Sequence, residues 1–78
     1  MSTPDYTLLK QAKSLCQQII STGLLVEGMQ VEQTIEQINT SSLPIRHRLH
    51  LICALKEAQA GVSRKTRKSI RQHIQSIP

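Results

Sequence analysis

Along the first third of the chain, apolar residues recur at intervals of three and four. Leu8, Leu9, Ala12, Leu15, Cys16, Ile19 and Ile20 form one stripe of an amphipathic helix. Ser2 or Thr3 is placed to cap that helix, Pro4 suits its first turn, and Asp5 sits favourably near the positive end of its dipole. Gly23 predicts its end. "LLVEG" (24–28) is apolar but interrupted by Gly28, the pattern of a packed connection. Val31, Ile35 and Ile38 then predict a second, shorter helix up to about Asn39, with Gln, Glu and Thr on its other face.

"TSS" (40–42) reads as a loop in which Ser42 caps the next helix and Pro44 falls inside its first turn. That third helix, over about 43–60, differs in kind. "LHLICAL" (49–55) is apolar at nearly every position, so the stripe widens around most of the circumference. A helix of that sort is buried on more than one side, which makes it the expected central helix and the expected dimer seam. Gly61 predicts a left-handed stop, and Ser63 restarts a fourth helix with Thr66, Ile70, His73, Ile74 and Ile77 along one side. The pattern therefore predicts an all-α protein, a compact bundle of four short helices, the third central and the last basic and amphipathic. No internal repeat, low-complexity tract or flexible linker divides it, so residues 1–78 are expected to form one helical domain.

Composition adds a constraint on that bundle. The chain has no tryptophan or phenylalanine and a single tyrosine, so Leu, Ile, Val and Ala must build the core, with Leu8, Leu15, Ile19, Leu49, Ile52 and Leu55 its expected centre. A chain of this length buries a modest fraction of its surface. Pairing with a second copy or with another protein enlarges such a core, and a homodimer or a subunit of a complex is expected. No stretch approaches a membrane span, and the first residues lack a basic region followed by an apolar one. The expectation is a cytoplasmic protein whose Cys16 and Cys53 are reduced thiols.

Charge changes the picture most. Residues 1–45 carry two lysines against four carboxylates, net −2, while residues 46–78 carry eight Lys/Arg against Glu57 alone, net +7. At about 100° per residue, Arg64, Arg67, Lys68 and Arg71 fall on one arc opposite the isoleucines, with Lys65, Gln72 and Gln75 beside them. No carboxylate lies at the four-residue spacing that would pair with them. Such an arc favours a polyanion that releases counterions on binding. Arg and Lys hold phosphates, and Arg and Gln also read base edges. The stretch has no aromatic residue to serve as a stacking platform for unpaired bases. Two helices broken by "AGVS" also resemble the helix-turn-helix of bacterial repressors, over Lys56 to Gln75. Two positions depart from that motif: Glu57 stands where alanine is usual and Arg67 where a buried aliphatic is usual, and both would place charge between packed helices.

Other chemistry is sparse. His47, His50 and Cys53 follow one another at three-residue spacing but drift by about 120° around a helix, so no metal site is expected, and no cofactor. "RHRLH" (46–50) reads as an exposed rim that grows more positive in acid. Glu32 and Glu36 have the spacing of a solvated face, and no phosphate loop or Ser/His/acid set is evident, so no catalytic residues are expected. The last helix lacks Trp, Phe and Leu, which is thin for insertion into a membrane surface. The leading expectation is a small regulatory protein that binds nucleic acid through Arg64, Lys65, Arg67, Lys68 and Arg71, with Gln72 or Gln75 as base readers. The alternative is a protein interaction module (an adaptor, chaperone or inhibitor) that captures a partner on apolar surface at Leu25 and Leu51 while the basic helix orients that acidic partner.

Overall fold

The computed structural model describes residues 4–25 and 30–77 and contains four α-helices: α1 (Pro4–Thr22), α2 (Val31–Asn39), α3 (Ile45–Ala60) and α4 (Arg64–Gln75). The chain is an all-α bundle of four short helices, as the periodicity predicts. The capping role of Ser2 or Thr3 and most of the "LLVEG" connection, including Gly28, fall outside the described residues. α1 and α3 each touch every other helix, whereas α2 and α4 touch both of these but not each other. α3 is thus central, and shares that position with α1. The thinnest dimension of the bundle is 17 Å against 39 Å for its longest, and its surface carries open grooves.

Each boundary has a local cause. α1 stops at Gly23, whose φ of +70° is the left-handed value that glycine adopts without a Cβ penalty, and whose amide donates to the Ile19 carbonyl at 2.8 Å. α4 starts at Ser63, whose Oγ accepts from the Thr66 amide at 3.1 Å. Two boundaries differ from expectation. α3 begins two residues later, with Pro44 at the flanking cap position and no side-chain cap, so Ser42 stands two residues too early for that role. Pro44 lacks an amide hydrogen, and its carbonyl accepts the first helical bond from the Arg48 amide at 3.0 Å. Gly61 ends α3 at φ +149°, positive but extended rather than left-handed helical. A Cβ there would meet nothing within 4 Å, so the requirement for glycine lies in the backbone alone.

The core runs along the stripe Ala12, Cys16 and Ile19 of α1, Leu51, Ala54, Leu55 and Ala58 of α3, and Ile70, Ile74 and Ile77 at the C-terminal end, closed by Val31, Ile38 and Leu43. Of the expected centre, Ile19 and Leu55 are fully buried, and Leu8, Leu15 and Ile52 pack against the core from its edge. Leu49 is a correction. It is 58% exposed, and Leu51, expected to face a partner, is 0% exposed at the heart of the bundle. Because "LHLICAL" is apolar all round, its periodicity could not choose a phase; α1, α2 and α4 choose it by covering the Leu51–Leu55–Ala58 side.

The cysteines also part company. Cys53 is exposed, whereas Cys16 is buried in the apolar core, where burial pushes its thiol from 9.0 up to about 12. A neutral thiol shut away from solvent does not react with thiol reagents. At pH 8 the folded protein is therefore expected to expose one thiol to a chromogenic disulfide reagent, with the second appearing only in denaturant. Between pH 9 and 12 the folded chain keeps a proton that the unfolded chain releases, so this group's contribution to stability is present below pH 9 and lost as pH rises through 12. Two fast-reacting thiols at pH 8 would contradict the buried position of Cys16.

Candidate nucleic-acid interface

α4 carries the candidate site, and its fixation begins with the isoleucines. Ile70 and Ile74 are buried against the core, with Ile77 beyond the helix end, and the basic arc flanks them on one side rather than opposing them, since Arg67 and Arg71 stand about 20° and about 60° from Ile74. Arg64, Arg67, Lys68 and Arg71, at positions i, i+3, i+4 and i+7 of one face, line a single open groove of about 330 Å³. Lys65 and Gln72 are exposed beside it, outside its lining. Gln75 points elsewhere, into a neighbouring cavity of about 450 Å³ between α1 and α4 that Gln17, Ile20, Ser21, Arg71 and Ile74 complete. Among the described residues, none of the four cations lining the groove forms an ion pair with a carboxylate.

Arg67 differs from its neighbours. On the helical wheel it borders Ile74, and it is half-buried. A Cβ at residue 23 would stand 3.2 Å from its Nη1, so the guanidinium lies against Gly23, at the carbonyl end of α1. α1 has no basic residue in its own last turn, and a cation from α4 meets the negative end of its dipole instead. Its Nε is buried without a hydrogen-bond partner. Arg67 thus anchors α4 to α1 while its charge still faces the groove. Gly23 is required for its backbone angle, and its lack of a side chain lets the Arg67 guanidinium approach closely.

The second charge at the α3–α4 interface finds a partner. Glu57 Oε2 lies 3.1 Å from His73 Nε2, and His73 Nδ1 lies 3.0 Å from His50 Nδ1, with the two rings 5.3 Å apart and tilted by 51°. An ionised carboxylate only accepts, so His73 Nε2 carries a hydrogen. A neutral His73 then accepts at Nδ1 and His50 donates from its own Nδ1; an added proton on His73 reverses that bond. "RHRLH" is accordingly more than a rim. His50 belongs to this chain, and Arg48 donates from Nε to the Leu43 carbonyl at 2.9 Å, tying α3 to the connection before it. Both departures from the helix-turn-helix pattern are housed, Glu57 by histidine and Arg67 by glycine, around a three-residue connection (61–63) of the length such a motif uses.

The partner-capture residues fare differently. Leu25 is exposed at the end of α1, whereas Leu51 is inaccessible and cannot touch a partner. The exposed apolar residues of α3 are instead Ile45, at 66%, and Leu49, one turn apart, with Cys53 a further turn on. Gln17 and Ser21 were invisible to sequence reasoning because they sit on the polar side of α1; only the docking of α4 brings them to Gln75. Among the described residues, no three His, Cys, Asp or Glu side chains come together as a metal-binding set, and no helix is long and apolar enough to cross a membrane. Comparison with protein-family models, curated proteins and solved structures finds no match to this chain.

Proposed function

We propose that this is a small regulatory protein that binds nucleic acid through α4. The observation that carries the reading is the convergence of Arg64, Arg67, Lys68 and Arg71 on one groove without a carboxylate against them. Like charges at this spacing repel and destabilise a bare helix by a few tenths of a kcal/mol per pair. A polyanion relieves that repulsion and releases its own counterions at the same time. Lys65 on the flank extends the surface along a backbone, and Gln72 is free to approach base edges.

The test is salt. With about four phosphates neutralised, log affinity for duplex DNA is expected to fall with log salt at a slope near −3.6, a loss of about 150-fold between 50 and 200 mM. Fluorescence anisotropy of a labelled duplex reads this directly, and affinity that does not change over that range removes the reading.

A second reading rests on Ile45 and Leu49. Two large apolar side chains exposed one turn apart, continuing to Cys53, support an interaction module in which α3 meets a second copy or another protein. In that reading the basic helix orients an acidic partner.

A further inference from the structure

We propose that the ligand of α4 contains an unpaired nucleotide and that its base enters the cavity between α1 and α4. The proposal rests on the nucleic-acid reading and narrows it. Arg71 lines both the basic groove and the cavity, so the two share a wall and form one continuous surface. On one side of Arg71 stand three further cations; on the other side, among the described residues, no further charged residue lines the cavity. Phosphate and base demand this division. A phosphate needs uncompensated cations, and a base needs apolar faces with a few donors and acceptors at its edge.

The cavity supplies those pieces. Ile20 and Ile74 give it apolar walls. Gln17 and Gln75 each offer an amide that both donates and accepts, and Ser21 adds a hydroxyl. No carboxylate lines it to repel the adjoining phosphates. It is as open to solvent as the basic groove, and its volume of about 450 Å³ falls within the usual range of small-ligand pockets. Bases held between aliphatic walls do not require an aromatic platform, which accounts for a chain without Trp or Phe on this surface. A paired base cannot present its edge here without leaving the duplex, which costs its pairing and stacking, so a strand with an already unpaired base is the better ligand.

The experiment compares three oligonucleotides of equal length: a blunt duplex, a single strand, and a hairpin whose loop carries one 2-aminopurine. The wild-type protein is expected to bind the hairpin and the single strand at least about 10-fold more tightly than the duplex. The single-strand salt slope should be near −2.8 instead of −3.6, and the 2-aminopurine should brighten as its base leaves the loop stack. Replacing Gln17→Ala with Gln75→Ala, both exposed positions that leave the core intact, should weaken hairpin binding about 10-fold and leave duplex binding unchanged. Equal affinity for duplex and hairpin, or a hairpin indifferent to the two alanines, overturns the base site while the basic face stands. Absence of binding to all three at 50 mM salt overturns the basic face and the base site together.

Discussion

Replacing Lys68 and Arg71 together with glutamate is expected to abolish nucleic-acid binding and, in the same protein, to leave the fold intact or raise its melting temperature. The two effects have one cause. Lys68 stands four residues from Arg64 and three from Arg71, and Arg71 stands four from Arg67, so the wild-type groove is a set of neighbouring like charges. Glutamate at 68 and 71 turns the 64–68 and 67–71 repulsions into attractions and leaves one like-charged pair, 68–71, as before. The ligand, however, loses two counterion-releasing contacts and meets two anions. The expected loss in affinity is on the order of 10²–10³-fold, with the salt slope falling to half or less of its wild-type value. Both positions are exposed, so the substitution tests charge without disturbing packing. Arg67 is a poorer choice. A carboxylate there would face the carbonyl end of α1 beside Gly23 and would unsettle the helix it is meant to probe. The measurement is anisotropy paired with thermal denaturation followed by circular dichroism. Unaltered binding by the double variant would place the ligand elsewhere on the molecule.

Two leucines two residues apart on α3 supply the second large effect. Leu51→Asp should unfold the protein, and Leu51→Ala should cost about 2–5 kcal/mol, because the side chain is fully enclosed. A chain of this length has only about 4–12 kcal/mol of stability to lose. Leu49→Asp should change stability by no more than about 0.5 kcal/mol, since the side chain is mostly in solvent. It should instead reduce whatever association α3 supports, as read by sedimentation at increasing protein concentration. A folded Leu51→Asp variant would show that the phase of α3 is wrong. Association that survives Leu49→Asp would remove the docking reading from this face.

The contrast between these leucines shows where the sequence was sufficient. Helices α1, α2 and α4 alternate apolar and polar positions clearly enough to fix both their extent and the side they bury, and Gly23 and Ser63 mark ends that local backbone chemistry decides. The basic arc of α4 was legible for the same reason, as a row of cations beside a row of isoleucines, although Arg67 falls at their border and is half-buried. α3 offers no such contrast, so its extent was legible but its orientation was not. The pairing of Arg67 with Gly23 spans 44 positions of sequence, and that of His50 with His73 spans 23. Neither has a periodic signature. Gln17 and Ser21 look like any solvated residues of α1 until α4 is laid alongside.

The contact between the two imidazoles also sets a limit on charge. The facing Nδ1 atoms of His73 and His50 share one hydrogen, which either ring can own without any atom moving far. A second leaves N–H facing N–H across 3.0 Å, where neither can accept. The junction between the last two helices is therefore saturable: the facing nitrogens share one hydrogen, and a second hydrogen between them must open it.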